Sequence, residues 1–249
     1  MFSKQQQKYV QSLQIKKYRQ EHQSFLVEGA KSVLELLDSD FEIELLLCTS
    51  KFFDENEKKL EKISAEQISQ TELEKISTLQ SNDAAVAVAH MRANESIKAS
   101  AKEFVLVLDD IRDPGNLGTI IRIADWYGIK KLICSDTTVD FYNPKVIAAS
   151  MGSFTRINAF YTNLTTYFKD IQATDKAAVI GTFLNSANIH QFAFPDSGYI
   201  VLGNESNGIG ENVEQFVTDK LTIPRFGQAE SLNVGIATAI VLDNLMRTQ

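Results

Sequence analysis

Short apolar runs separated by polar stretches dominate the chain after residue 103. Such runs are too short for helices and predict buried strands, whereas the longer stretches between them have the apolar spacing of helices with one buried face. The predicted strands are Phe104–Leu108, Leu132–Cys134, Ala178–Ile180, Tyr199–Leu202 and Leu221–Ile223, and the predicted helices are Leu117–Tyr127, Pro144–Met151, Leu164–Ala173 and Ser231–Met246. This alternation predicts an α/β domain, although it does not give the order of the strands.

The residues before position 91 show the same alternation on a smaller scale. Met1–Tyr18 carries many Lys and Gln, with apolar residues at loosely helical spacing, which is typical of a solvated helix. The next part predicts strands at Phe25–Val27, Glu44–Cys48 and Ala84–Ala89, helices at Ala30–Leu37 and Phe52–Leu60, and a less regular stretch at Ile63–Gln80. These elements predict a small α/β unit.

Residues 91–103 are polar and lack a sustained apolar period, so we predict a linker between two domains. We assign residues 1–92 to the first domain, 93–103 to the linker and 104–249 to the second domain. A length of 249 residues and a hydrophobic content of 44% are sufficient for two packed cores.

Composition narrows the class of protein. No apolar run approaches the roughly 20 residues that span a membrane, and the first residues lack the apolar core of a secretion signal, so we expect a cytoplasmic protein. Cys48 and Cys134 each fall in a predicted strand, where a small buried thiol is the expected role. The three histidines lie far apart, without the spacing of zinc ligands, so we expect no metal.

The net charge of −7 argues at first against a nucleic-acid partner, but the charge is distributed unevenly. Residues 1–31 contain six basic and two acidic side chains, a balance of +4. Residues 35–75 contain twelve acidic and five basic side chains, a balance of −7. The acidity is therefore local, and the N-terminal segment is a basic arm or face.

Two loops near the C-terminus, Gly203–Gly210 and Ile223–Val234, each follow a predicted buried strand. At the carboxyl edge of an α/β sheet, such loops present backbone N–H and C=O groups to a ligand. A P-loop is excluded because Ile209 stands where the phosphate-binding Lys is required. The glycines also lack the spacing of a Rossmann fingerprint. We therefore expect a ligand that is not held by its phosphates.

The same residues resemble the SpoU family, the TrmH-type RNA 2′-O-ribose methyltransferases of the SPOUT superfamily. Gly203–Gly208 with Ile223–Pro224, and then Glu230–Val234, are similar to the second and third motifs of that family. Asp113–Gly118, followed by Arg122, is similar to the first motif. Together the three motifs are highly specific, whereas each alone is weak.

The first domain carries a weaker resemblance. Phe25–Gly29, with Val33 and Leu36–Leu37, is similar to the substrate-binding domain that often precedes SpoU methyltransferases. For the second domain, the resemblance implies a parallel sheet whose C-terminal segment threads a loop to form a trefoil knot. It also implies a homodimer, since the knots of this family pack together. Knots are nearly absent from proteins in general, so only the resemblance supports this one.

The resemblance further implies the residues of the site. S-adenosylmethionine would contact the backbone at Gly203, Ile223 and Leu232, with Thr182, in a predicted loop at Gly181–Phe183, as an additional candidate. In the first domain Arg19 is a family-typical candidate for RNA contact, and the basic neighbours Lys16 and Lys17 join it as candidates. Core packing is the alternative role for Ile223 and Leu232, and an ordinary surface cation is the alternative for Arg19.

The catalytic residues that the resemblance implies are Arg122, Glu205, Asn116, Asn233 and Ser231. A base role for Arg122 would require a pKa lowered by about five units, or roughly 7 kcal/mol, so we favour a charged Arg122 that binds phosphate and orients the target hydroxyl. Glu205 would position Arg122 or the ribose. Relatives often have Ser where Gly235 stands, which weakens a role for a hydroxyl at that position.

Structural alternatives remain open for several of these side chains. Arg122 would suit a surface ion pair with Asp125 or Glu205, and Asn116 or Ser231 would suit the capping of a helix. We expect an S-adenosylmethionine-dependent enzyme that methylates ribose 2′-hydroxyls of structured RNA, with ribosomal RNA favoured and transfer RNA open. A related knotted base methyltransferase and a non-catalytic RNA-binding protein are the alternatives.

Overall fold

The computed structural model describes residues 2–61, 63–174 and 177–248, which form two compact units. The first unit contains the chain up to Ala93 together with Asp140–Thr155. The second contains Asn94–Val139 and the chain from Arg156 onwards. The units differ from the domain boundaries predicted from the sequence in two respects: Asp140–Thr155 belongs to the first unit, and the predicted linker belongs to the second unit from Asn94 onwards.

The elements are numbered along the chain. The helices are α1 (Lys4–Ser12), α2 (Lys16–His22), α3 (Ala30–Leu37), α4 (Ser50–Glu55), α5 (Glu57–Leu60), α6 (Gln70–Ile76), α7 (Pro114–Trp126), α8 (Pro144–Ser150), α9 (Leu164–Thr174), α10 (Glu211–Glu214) and α11 (Val234–Arg247). The strands are β1 (Ser24–Glu28), β2 (Ile43–Cys48), β3 (Ala65–Gln67), β4 (Ala85–His90), β5 (Phe104–Leu108), β6 (Lys131–Ser135), β7 (Asn158–Thr162), β8 (Ala178–Asn188), β9 (Gly198–Leu202) and β10 (Asp219–Thr222).

The first unit is built on a mixed sheet with the strand order β1-β4-β2-β3. β4 pairs antiparallel with both β1 and β2, and β3 pairs parallel with β2. The residues of β1 are all buried, which explains why its apolar run is not interrupted by polar positions. The small α/β unit predicted from the sequence is confirmed as an arrangement of helices on this sheet.

The segment Asp140–Thr155 completes the core of the first unit. The ring of Phe25 on β1 lies 4.6 Å from that of Tyr142 and 5.9 Å from that of Phe154, measured between centroids. Helix α8 packs against the same strand. Periodicity correctly predicted a helix here but could not assign it to a unit, because an apolar face does not specify which sheet it covers.

Arg19 holds this segment to the start of the chain. Its side chain is 2% exposed and forms an ion pair with Asp140. Its guanidinium also donates to the carbonyls of Leu13 and Gln14, each at 2.9 Å. With its donors engaged inside the protein, Arg19 is not placed to bind RNA. The prediction of an RNA contact at Arg19 is therefore wrong.

The second unit contains a fully parallel sheet with the strand order β10-β8-β9-β5-β6-β7. The central strands β5 and β9 are buried along their whole length, as expected of strands covered on both faces. The predicted parallel α/β sheet is confirmed. The edge strand β7 was missed because none of its residues is fully buried, so it lacks a continuous apolar run.

The residues predicted as a linker pack against the second unit. Asn94 exchanges two hydrogen bonds with the backbone of Tyr161, at 3.0 and 2.8 Å. The backbone N–H of Ala99 donates to the hydroxyl of Tyr199. The segment has no helix or strand, as predicted, but side chains hold it in place. Among the described helices, none has the length and apolar character needed to cross a membrane.

We predict that Arg19→Ala destabilises the first unit by about 3–5 kcal/mol, because it removes a buried guanidinium and leaves the Asp140 carboxylate, which is only 14% exposed, without its ion-pair partner. Denaturant unfolding followed by circular dichroism measures the change. Arg112→Ala is the control, since Arg112 forms an ion pair with Asp110 but its side chain is 71% exposed, and little change is expected there. Equal midpoints for the two variants would contradict the structural role of Arg19.

Candidate active site

Three loops meet at one edge of the parallel sheet. Because β5, β9 and β10 run in the same direction, the loops that follow them, at residues 109–113, 203–210 and 223–233, leave the sheet at its carboxyl edge. All three belong to the second unit. These loops contain the residues that the sequence singled out.

Helix α7 begins directly after the first loop. Asp113 is its N-cap, and its carboxylate accepts a hydrogen bond of 2.8 Å from the backbone N–H of Asn116. Pro114 occupies the first helical position, where the missing N–H is not needed. The alternative that Asn116 itself caps the helix is therefore wrong, and its side chain is available for other contacts.

The side chain of Asn116 joins the other two loops. Its Nδ2 donates to Oε1 of Glu205, and its Oδ1 accepts a hydrogen bond of 2.8 Å from Nδ2 of Asn233. An amide can donate and accept at the same time, which a carboxylate or an apolar group of this size cannot do. The structure thus brings together three residues that the sequence predicted as catalytic, one from each motif.

Asn233 has a second function at the start of α11. It is the N-cap, and its Oδ1 accepts from the backbone N–H groups of Gly235 at 2.9 Å and Ile236 at 3.4 Å. Ser231 is exposed and lies outside the cap, so the capping alternative for Ser231 is wrong. Ser231 stands two residues before Asn233 in the same loop.

The loop after β9 is held by Asn204, which the sequence analysis did not single out. Its Oδ1 accepts from the N–H of Ser206, and its Nδ2 donates to the carbonyl of Asp110 at 2.9 Å. Backbone hydrogen bonds between Asn204 and Gly208 close the loop. These contacts fix the backbone on which Glu205 stands. Only the folded chain reveals them, because Asn204 and Asp110 are 94 residues apart.

A second residue missed by the sequence analysis is Asp109, at the end of β5. Its carboxylate accepts a hydrogen bond of 2.8 Å from the N–H of Gly210. Burial raises the pKa of this carboxyl, an effect that the Gly210 hydrogen bond opposes. Asp109 lines a cavity of about 300 Å³ that also involves Ser135, Thr137 and Glu211. The sequence did contain a signal for this residue, since two acidic residues, Asp109 and Asp110, directly follow a predicted buried strand.

Arg122 lies on the exposed face of α7, with a solvent-accessible side chain. The proposed alternative partners are engaged elsewhere: Asp125 forms an ion pair with Arg156, and Glu205 accepts from Asn116. Within the part of the chain that the structure describes, no ion pair involves Arg122. The ion-pair alternative for Arg122 is therefore wrong.

The predicted cofactor contacts occupy different environments. Thr182 lies inside β8, which continues to Asn188 and is longer than the three-residue strand predicted, so Thr182 is not in a loop. Ile223 directly follows β10 and is half-buried. Leu232 is 47% exposed, which rules out core packing as its role.

Gly203 has no room for a side chain. A Cβ atom added there would overlap the backbone of Gly208 and Ile209, so the loop closes over this residue only because it is glycine. The predicted cofactor contacts Gly203, Ile223 and Leu232 lie at this edge, in the loops that follow β9 and β10. Neither loop, at residues 203–210 and 223–233, contains the lysine of a P-loop.

The candidate RNA contacts Lys16 and Lys17 lie in the first unit. They are the first two residues of α2, and both are exposed. Unlike Arg19, they are placed where a phosphate group could reach them.

Comparisons with known proteins agree with this geometry. The sequence profile described as the SpoU rRNA methylase family matches residues 103–243, and that of the MRM3-like substrate binding domain matches residues 4–87. Over 234 residues, the chain is 32% identical to the 23S rRNA (guanosine(2553)-2′-O)-methyltransferase RlmP of Bacillus subtilis. That match covers 94% of this chain and 92% of the relative.

Solved structures give the same result. A protein from Porphyromonas gingivalis assigned to the TrmH family of RNA methyltransferases has 31% identity and a TM-score of 0.88, and the match covers 100% of both chains. An AdoMet-bound rRNA methyltransferase from Sinorhizobium meliloti has 28% identity and a TM-score of 0.88. That match covers 99% of this chain and 97% of the other.

We predict that Gly203→Ala weakens binding of S-adenosylhomocysteine by at least about tenfold, or ~1.4 kcal/mol, because the added methyl group displaces the loop backbone. Isothermal titration calorimetry measures the affinity. Gly227→Ala is the matched control, since a Cβ atom there meets no atom within 4 Å. Unchanged affinity in Gly203→Ala would show that the cofactor does not depend on this loop.

Proposed function

This chain belongs to the SpoU rRNA methylase family, and from that membership and the geometry of the site we propose that it methylates a ribose 2′-hydroxyl of ribosomal RNA. The observation that carries the proposal is the double hydrogen bond of Asn116, which joins Glu205 and Asn233 at the sheet edge. The charged side chain of Arg122 lies further along α7, the helix that also carries Asn116.

The transfer forms a bond between the ribose oxygen and the methyl carbon and breaks the bond between that carbon and a sulfonium sulfur. S-adenosylmethionine, when bound, supplies the methyl group. The backbone at Gly203, Ile223 and Leu232 would hold it at the sheet edge, with Thr182 on β8 as a further candidate contact. Holding the two reactants in line removes much of the entropic cost of the reaction.

Arg122 binds the phosphate beside the target ribose in this proposal. An exposed guanidinium is well suited to a bidentate contact with phosphate, and it stays charged near neutral pH. The contact would fix the position of the neighbouring 2′-hydroxyl. The hydroxyl proton then leaves through water or a phosphate oxygen, so Arg122 is not required to act as a base.

Glu205, Asn116 and Asn233 orient the reacting ribose. Glu205 accepts one hydrogen bond from Asn116 and has a second carboxylate oxygen that can accept from a ribose hydroxyl. Ser231 is exposed on the same loop as Asn233 and would contact the ribose or its phosphate. Asn116 holds the other side chains in register.

We further propose that the C-terminal part of the sheet is knotted and that two copies form a dimer in the cytoplasm. Support comes from family membership and from the return of the chain, after the edge strand β10, to contact Asn116 through Asn233. Sedimentation of the purified protein tests the dimer.

The reaction itself is tested with ribosomal RNA from a strain that lacks the gene. Incubation with the protein and labelled S-adenosylmethionine should give a 2′-O-methylated nucleoside, identified by mass spectrometry after digestion. A methylated base would support the related knotted base methyltransferases instead. Binding of RNA without any transfer would support a non-catalytic role.

We predict that Arg122→Ala abolishes methyl transfer but leaves the affinity for S-adenosylhomocysteine within a few-fold, because backbone groups of other loops hold the cofactor. Transfer assays and calorimetry measure the two quantities. Arg247→Ala removes an exposed arginine from the last turn of α11 and should leave transfer unchanged. Loss of cofactor binding in Arg122→Ala would instead place Arg122 in the cofactor pocket.

The N-terminal cations generate a separate prediction. Replacing Lys16 and Lys17 with Gln should weaken RNA binding and reduce the slope of log affinity against log salt by about 1–2, if both contact phosphates. Filter binding over a salt series measures the slope. Lys51→Gln with Lys58→Gln removes the same charge from the acidic stretch and should have a smaller effect. Equal slopes for the two double variants would mean that α2 does not contact RNA.

A further inference from the structure

The turn that joins β5 to α7, at residues 109–113, leads directly into the candidate active site. Its last residue, Asp113, caps α7, and Asn116 follows in the first turn of that helix. On the side of β9, the carbonyl of Asp110 accepts a hydrogen bond of 2.9 Å from the side chain of Asn204. The position of this turn therefore determines where the Asn116 amide lies.

Asp110 has a left-handed backbone conformation within this turn, with a φ of 60°. Any side chain makes this conformation less favourable than the right-handed one, although Asp tolerates it better than most residues. Its own carboxylate binds Arg112, but that side chain is 71% exposed, and such a pair contributes little. A residue in this conformation persists only where the surrounding structure holds it. Bonds from outside the turn are therefore needed.

Two buried hydroxyl groups at and after the end of β6 supply such bonds. Ser135 and Thr138 are 7% and 3% exposed. Oγ of Ser135 accepts a hydrogen bond of 2.9 Å from the backbone N–H of Asp110. Oγ1 of Thr138 accepts from the N–H of Ile111 at 3.3 Å and donates to the carbonyl of Leu108 at 3.1 Å. The two hydroxyls thus bind the backbone on both sides of the left-handed residue.

The same two hydroxyls also bind each other, with their oxygens 2.9 Å apart. Each hydroxyl has one proton. Because Thr138 uses its proton on the Leu108 carbonyl, Ser135 is the donor in the bond between them. Loss of either hydroxyl therefore changes the bonds of the other, and the pair acts as one unit.

We propose that Ser135 and Thr138 are positioning residues for the methyl transfer. They hold the turn at residues 109–113 in the conformation that brings Asn116 to its two partners. This inference rests on the proposed function, and it adds two residues that lie outside the three motifs. Their bonds go to the backbone of the turn, so neither has to touch the RNA or the cofactor. A shift of about 1 Å in a positioning group can lower a rate by roughly a hundredfold.

Substitution of Thr138 gives the main test. Thr138→Val keeps the shape of the side chain but removes the hydroxyl. We expect kcat for ribosomal RNA from a strain that lacks the gene to fall by about ten- to one hundred-fold. KM for that RNA and the affinity for S-adenosylhomocysteine should change by less than about threefold. Thr138→Ser restores the hydroxyl and should recover most of kcat.

A role in stability alone would give a different result. It would lower the unfolding midpoint, measured by circular dichroism, without changing kcat per folded molecule. The transfer assays are therefore run well below the midpoint of each variant, and the folded fraction is counted by titration with S-adenosylhomocysteine.

Thr218→Val is the matched control. Although Thr218 is more exposed than Thr138, its Oγ1 also accepts from a backbone N–H, that of Val179 at 3.0 Å, and lies 3.2 Å from the carbonyl oxygen of the same residue. These bonds lie at the amino ends of β8 and β10, opposite the edge that carries the site. Thr218→Val should keep the wild-type kcat. An equal fall in the two valine variants would overturn the proposal.

The conformation of the turn can also be tested through Asp110. Glycine adopts a φ of 60° without steric cost, whereas the branched side chain of valine disfavours it. Both Asp110→Gly and Asp110→Val lose the Arg112 pair, so they differ mainly in how well they accept the left-handed conformation. We expect kcat of the glycine variant to exceed that of the valine variant by about tenfold. Equal values would contradict a dependence on this conformation.

The outcomes separate this inference from the proposed function. If the wild-type protein transfers methyl groups and both Ser135→Ala and Thr138→Val keep its kcat, the positioning role is overturned and the methyltransferase stands. Absence of transfer by the wild-type protein overturns the proposed function, and this inference with it. If Thr138→Val does not fold, Ser135→Ala and the two Asp110 variants provide the same test.

Discussion

The candidate active site depends on one side chain that both donates and accepts a hydrogen bond. Asn116 donates to Glu205 and accepts from Asn233, and these residues stand on loops separated by long stretches of chain. Aspartate at this position would place a second carboxylate beside Glu205, and an apolar residue would remove the hydrogen bonds to Oε1 of Glu205 and from Nδ2 of Asn233. Asp113 makes the arrangement possible, because it takes over the capping of α7 and frees the Asn116 amide. The first turn of α7 therefore has two roles: Asp113 caps the helix, and Asn116 joins the loops of the site.

A comparable constraint organises the first unit. The segment Asp140–Thr155 leaves the chain of the second unit and supplies Tyr142 and Phe154 to the aromatic core around Phe25. A buried arginine and its carboxylate fix the segment at one end. Removal of the first 93 residues would therefore expose apolar side chains of this segment as well as delete a domain. Each unit has its own core, but the first unit is formed from two segments of the chain that are separated by part of the second unit.

The sequence correctly predicted the strands and helices that are determined by the local spacing of apolar residues. The apolar run Phe104–Leu108 and the spacing of Ala30–Leu37 correspond to β5 and α3, because burial on both faces of a strand or one face of a helix leaves a regular signal. Arg19 was misassigned since a basic residue in a basic segment gives no sign that a distant aspartate will bury it. Strand order and the contacts of Asn204 depend on pairings between residues that are far apart in the chain. The spacing of apolar residues along the sequence does not reveal such pairings. The motif spacing did identify Asn116, Glu205 and Asn233, although the bonds between them required the folded chain.

The remaining question is how an acidic chain can present a surface to RNA. Much of the negative charge lies in residues 35–75 of the first unit. Three carboxylates at the sheet edge form hydrogen bonds or an ion pair within the protein: Asp110 binds Arg112, Asp109 accepts from Gly210, and one oxygen of Glu205 accepts from Asn116. The exposed face of α7, in contrast, carries Arg122 without an acidic partner among the described residues. Because screening limits electrostatic attraction to roughly 8–10 Å at physiological salt, a phosphate near this face responds to these local charges more than to the net charge of −7.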